Sequence, residues 1–292
     1  MKRSATIAIA LGCLLIGPAT VWAQGRSNSN GNGNGNGHDD GEAASNSCSS
    51  LPSQAQLKTA LTTAVAAEST GLDLNMWGTI VDRDGVVCAV AFSGVDRGAQ
   101  WPGSRVISAQ KANTANSFSL DSSAGSGLAA PGLALSTANL YSAVQPGGSL
   151  FGLQESNPVD TGVAYKGPSK NYGTANDPMV GEKIGGVNVF GGGLALYDKV
   201  GNKRVIVGAV GVSGDTSCAD HRIGWRVRNL LGLDHLAGVN GVATAARPDN
   251  IIFDITPNVN GGTGVSAGGF GHPHCTTVVG DGDPNTLPAV QP

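Results

Sequence analysis

Charge is scarce in this chain. Asp, Glu, Lys and Arg make up 13% of its 292 residues and aromatic side chains 5%, against the ~25% charged fraction usual in soluble domains. The 18 basic and 21 acidic residues nearly cancel, to a formal net charge of -3. No sequence-wide field therefore exists to draw in nucleic acid or an anionic membrane, and a general polyanion binder is disfavoured. Long apolar runs are also missing. The longest, Ala5 to Ile16, is well short of the ~20 residues a membrane span needs. What the chain has in excess is glycine, 45 residues, about twice the usual ~7% share. A small-residue, loop-rich fold follows, rather than a helical bundle.

The short apolar run has a meaning of its own. Lys2 and Arg3 precede it, Gly17-Pro18 ends it, and Val21-Trp22-Ala23 presents small residues at the two positions a signal peptidase reads. This pattern predicts a secretory signal peptide cut after Ala23, and hence a periplasmic or secreted protein. Cys13 lies inside the run rather than at its end, which argues against lipid modification. Cleavage would remove two bases and no acid, leaving 16 basic and 21 acidic residues and a net charge of -5. Export would place Cys48, Cys88, Cys218 and Cys275 in an oxidising compartment, where an even count suggests two disulfides. Three pairings are possible. Cys218 or Cys48 paired with Cys275 is favoured, because all three lie in Gly/Ser/Pro-flanked loops. Cys88, inside an apolar strand, would then remain a buried thiol.

Residues 24–50, with their Gly-Asn repeat from Gly31 to Gly37, show no apolar periodicity and read as a disordered linker. The glycine spacing there resembles a dinucleotide fingerprint, but no strand precedes it and no helix follows. Structure is expected from Leu51. Leu57, Leu61 and Ala64-Val65 mark a helix capped by Ser53 and closed by Gly71. Leu74–Val81 and Val86–Phe92, joined by Asp82-Arg83-Asp84-Gly85, predict a β-hairpin. A second helix spans about Ser104 to Phe118. A second hairpin runs Val187–Phe190 to Leu194–Tyr197, turns at Asp198–Asn202 and returns along Val205–Val212, and a last helix covers about Ala219 to Leu231. Hairpins with helices packed on them predict an α+β domain over 51–240. It carries a long Gly/Ser/Pro/Asn-rich insertion at about 121–185, of a length that is usually functional or disordered, and a C-terminal extension at 241–292.

Several motifs reduce to ordinary structure. Gly211-Val212-Ser213-Gly214 lacks the second glycine of a hydrolase nucleophile elbow, since Asp215 stands there, so it reads as a strand end turning into the last helix. Ser108-Ala109-Gln110-Lys111 has the spacing of a serine–lysine pair without the partner motifs. His272-Pro273-His274-Cys275 is the densest metal-capable group, yet two further ligands are missing and a disulfide at Cys275 would remove the metal reading, leaving a flexible tail. His221 and His235, which flank the last helix, read as surface or capping residues. No metal site is expected.

Three ordered motifs carry more weight together. They are Ile80-Val81-Asp82-x-x-Gly85-x-Val87-x-Ala89, Lys111-Ala112-Asn113-Thr114-Ala115, and Gly208-Ala209-Val210-Gly211-Val212-Ser213-Gly214 with Asp220 six residues on. The combination, from about Leu57 to Leu231, resembles the GlcG/HbpS family of haem-binding domains. The resemblance implies a profilin-like antiparallel sheet with helices packed on it, assembly into homo-oligomers, and haem as ligand in some members. It implies Thr114 as the helix threonine at the haem and Lys111 as a partner for a propionate, with Arg97 and Arg105 as further candidates. The family's usual Arg-x-Asp-Gly-Ala before the second helix reads Gly94-Val95-Asp96-Arg97-Gly98-Ala99 here. The expected function is an exported haem- or tetrapyrrole-binding protein. A haem-degrading enzyme and a non-catalytic small-molecule sensor or assembly module are the alternatives. No acid/base pair or metal cluster in the sequence demands catalysis. The expected partner is haem or another small molecule, not nucleic acid and not a membrane.

Overall fold

A computed structural model describes residues 47–125, 131–262, 264–276 and 280–292. The expected signal peptide and most of the Gly-Asn linker lie outside them. Helix α1, Gln54–Ala66, starts where expected. The Ser53 hydroxyl accepts from the Gln56 N–H while the Gln56 side chain accepts from the Ser53 N–H at 2.9 Å, a capping box that satisfies two otherwise orphan donors. Leu57, Ala60, Leu61 and Ala64 form its buried face.

Strands β1, Trp77–Asp82, and β2, Val87–Phe92, pair antiparallel. Their turn is held by Asp82, whose carboxylate accepts the N–H groups of Asp84 and Val86. Helix α2, Ser104–Ser117, follows. Strands β4, Gly193–Val200, and β5, Lys203–Ser213, form the second hairpin about a two-residue Gly201-Asn202 turn, tighter than the sequence suggests. Residues 187–192, expected to begin that hairpin, are not strand: Gly192 has φ +113°, and the Asn188 N–H is given to the Thr114 hydroxyl instead. Helix α5, Ser217–Leu230, closes the core domain.

The four strands form one antiparallel sheet in the order β2-β1-β5-β4. Its two faces are covered differently. Leu57, Leu61, Ile80, Leu194, Val210, Ile223 and Val227 join α1 and α5 to one face, and Val81, Val87, Val106, Ala109 and Ala112 join α2 to the other. The α+β expectation, antiparallel sheet with packed helices, is what the chain builds. Helix α2 approaches so closely that a methyl group on Gly211 would overlap the Ser108 carbonyl, and one on Gly193 the Lys111 carbonyl. Glycine at these strand positions is thus a packing requirement.

The described part of the insertion is packed, with two short helices, α3 (Leu153–Ser156) and α4 (Thr161–Ala164), and a two-residue strand β3 (Leu133–Ala134). Ala164, Met179 and Ile184 extend the apolar layer over α2. The described part of the extension is packed too, which corrects the flexible tail expected from its composition. Strand β6, Asn240–Gly241, pairs in parallel with β3, while β7, Ile255–Thr256, and β8, Val265–Ser266, make a small hairpin. Leu287 and Val290 enter the core beside α1 and α5, and the Trp225 indole N–H donates to the Pro288 carbonyl at 3.0 Å. Among the described residues no helix is long and apolar enough to cross a membrane.

Both disulfides are formed, Cys48–Cys88 and Cys218–Cys275. The second is one of the favoured pairings; the first corrects the buried thiol at Cys88. The reason is topological. Strand β2 is at the sheet edge, so half-buried Cys88 is reachable from the 3-10 turn Ser47–Ser50 that carries Cys48.

Candidate functional site

Helix α2 carries a polar residue at every third position, Arg105, Ser108, Lys111 and Thr114, and all four are buried. At about 100° per residue such a row winds around the helix. Arg105 and Thr114, nine residues apart, therefore leave opposite sides of α2 and are separated by about 13 Å along its axis. The three helix residues expected to act at one ligand, Arg105, Lys111 and Thr114, thus meet different surroundings.

The Lys111 ammonium is fully buried. It donates to the Asp220 carboxylate at 2.6 Å and to the Val212 carbonyl at 3.0 Å. The other Asp220 oxygen accepts the N–H groups of Gly214 and Asp215, so the pair bolts α2, β5 and α5 together. Burial pulls Lys111 below the usual lysine range and raises Asp220 to about 6, while each partner's charge opposes the other's shift. Lys111 has no open face towards a propionate. Ser108 shares a hydrogen bond of 2.7 Å with Thr79. The Thr114 hydroxyl donates to the Gln110 carbonyl at 2.7 Å and accepts the Asn188 N–H at 3.0 Å. With Asn113 donating to the Gly186 carbonyl, the segment that follows the insertion seals this side of the helix.

Arg105 and Arg97 share a cleft. The Arg105 guanidinium forms a two-pronged ion pair with Asp177, donates to the Ala164 carbonyl at 2.8 Å, and has the Tyr172 ring 3.6 Å above it. The Asp177 carboxylate in turn accepts the N–H groups of Gly173 and Met179. One buried arginine thereby docks the insertion onto α2. What remains open beside it is a cleft of about 240 Å³ with Trp77, Tyr165 and Tyr172 as walls, Val106 below and the exposed Arg97 at the rim. Trp77 is buried against Phe92, and its indole N–H has no hydrogen-bond partner among the described residues. A buried donor left unpaired is costly, about 1–3 kcal/mol. Larger concavities exist, such as the groove of about 410 Å³ between α1 and α5, but its lining has no charged side chain.

The aromatic members of the cleft were not singled out from sequence. Tyr165 and Tyr172 lie in the insertion, and three of the chain's four tyrosines in an otherwise Gly/Ser-rich segment were the available signal.

The model of the family described as haem degrading protein HbpS-like matches residues 53–226. No curated protein matches the chain. Solved structures similar to it include the following two. One is the Klebsiella pneumoniae protein ORFY, of the family DUF336, with 24% identity and TM-score 0.37 over 62% of this chain and 90% of that one. The other is the PduOC:heme complex, with 19% identity and TM-score 0.38 over 60% of this chain and 89% of that one. The match over 53–226 takes in the whole sheet and all but the last turn of α5, and on that ground the chain belongs to the HbpS-like family.

Proposed function

We propose that this chain is an exported haem- or tetrapyrrole-binding protein that takes the edge of the macrocycle in the Trp77–Tyr165–Tyr172 cleft. The observation that carries the reading is the composition of that cleft. Within the family domain it joins three aromatic residues to the exposed Arg97. A planar, largely apolar dianion needs those features: ring faces to stack on and a cation for a propionate. The cleft is smaller than the ~300–1,000 Å³ that encloses a drug-sized ligand, so it fits an edge rather than a whole porphyrin. The homo-oligomer implied by the family resemblance would supply a cover for the rest.

When bound, haem supplies a redox-active iron. The chain supplies Arg97 to orient a propionate and Tyr165, 60% exposed, as the phenolic oxygen at the cleft mouth; tyrosine is an established haem ligand type. Arg105 acts indirectly, by fixing Tyr172 and the docked insertion. Thr114 and Lys111 are held in the protein's own hydrogen bonds. Export is supported by the pairing of all four cysteines outside the N-terminal run.

Titrating the mature chain with haem and following the Soret band tests the reading. A saturable shift is expected, and a chain that leaves the spectrum of free haem unchanged contradicts it. The family's description also motivates haem breakdown. Product analysis with a reductant and catalase present separates the two: turnover that survives catalase supports an enzyme, and turnover that disappears assigns the chemistry to free peroxide.

A further inference from the structure

The tail beyond β8 returns to the first turn of α5 and sets His272 and Cys275 against Ser217 and Cys218. One ligand atom each from Cys218, His272 and Cys275 lies within 4.8 Å of the others. The tautomer of His272 follows from its bonds. Nδ1 is 2.7 Å from the Pro273 carbonyl, which can only accept, so Nδ1 carries the proton. Nε2 then presents its lone pair, now accepting from the Ser217 hydroxyl at 2.7 Å. A metal-ligating imidazole is held in this way, one nitrogen fixed by a backbone carbonyl, and the Ser217 hydroxyl must turn aside for the other to coordinate. Ala138, Ile251 and Phe253 pack around the two cysteines, giving the low-dielectric shell that strengthens a thiolate–cation bond. Cys275 is only half-buried, so a reductant can reach the disulfide.

We propose that when the Cys218–Cys275 disulfide is reduced, Cys218, Cys275 and His272 bind one thiophilic divalent cation of the zinc type. The ion replaces the covalent bond as the tie between α5 and the tail. A dithiol supplies the two electrons and two protons that turn the disulfide into two thiols, and is itself oxidised to its cyclic disulfide. The cation then displaces the two thiol protons to form two metal–thiolate bonds, with the His272 imidazole as third ligand and water in the fourth tetrahedral position. In the oxidised chain both sulfurs are bonded to each other and cannot take the ion, so occupancy reports thiol state. The Cys48–Cys88 pair has only the Asp82 carboxylate nearby, and that group already accepts two backbone N–H groups.

Cobalt(II) is the probe, used with the mature chain carrying Cys48→Ala and Cys88→Ala, reduced with dithiothreitol and desalted without oxygen. The expected result is thiolate-to-cobalt charge-transfer absorption and tetrahedral ligand-field bands saturating at one ion per chain, and neither band before reduction. His272→Ala should weaken binding at least ~tenfold, and Cys218→Ser with Cys275→Ser should abolish the charge-transfer band. Far-UV circular dichroism and the wild-type chain, with Cys48 and Cys88 present, run alongside as folding controls. No charge-transfer band in either reduced protein overturns the proposal. So does a band unaffected by His272→Ala, or a reduced chain that unfolds and is not refolded by cobalt.

Discussion

A charged pair as deeply buried as Lys111–Asp220 is held against a large desolvation cost, and it persists because the ammonium makes two hydrogen bonds and both carboxylate oxygens accept. Its worth is therefore asymmetric. Lys111→Ala leaves the Asp220 carboxylate buried and uncompensated, and about 3–5 kcal/mol should be lost. Lys111→Met combined with Asp220→Leu removes both charges and should lose much less. Urea unfolding of the single and double variants measures the difference; equal losses would mean that the pair is not coupled. The same reasoning bears on Thr114 and Lys111 as haem residues. Both were legible in the sequence as members of a family motif, and both are buried where the motif places them. Their partners, Asn188 and Asp220, were not legible, because a side chain's occupancy depends on segments 74 and 109 residues away.

At the scale of elements, the sheet depends on α2 lying against glycines of β4 and β5. Gly211→Ala would press a methyl group into the Ser108 carbonyl, and backbone cannot yield as a side chain end can. A loss of about 1–3 kcal/mol is expected, read as a lower urea midpoint at unchanged slope; an unaffected midpoint would show that α2 can move outward freely. The three long helices and both hairpins were legible because their signals are local: the Ser53 cap, the Asp82–Gly85 turn, the apolar period of α5. The insertion and extension were not. They are pinned by long-range contacts such as Arg105–Asp177, 72 residues apart, Arg228–Asp249 and Cys218–Cys275, 57 apart. No periodicity encodes such pairs, so composition alone reads both segments as loop.

For the whole molecule, stability should fall on acidification. His221 and His272 are lowered by burial to about 3 and about 4. Below their unfolded value near 6.5 the unfolded chain binds protons that the folded chain refuses, so stability is fully present above about pH 6.5 and drains as pH falls towards 4. Asp220, raised to about 6, works the other way: between about 6 and 4 the folded state takes the proton first. Two histidines outweigh one aspartate, and the net should be a loss of a few kcal/mol by about pH 4. Thermal unfolding from pH 7 to 4 measures it; a constant midpoint would contradict the buried, neutral state of both rings. The central claim, that haem is taken by the aromatic cleft, is tested most directly by titrating haem into Arg97→Glu and Thr114→Ala side by side with the wild type. The cleft predicts that Arg97→Glu weakens the Soret response about tenfold or more while Thr114→Ala leaves it unchanged. A response lost in Thr114→Ala and intact in Arg97→Glu would contradict it.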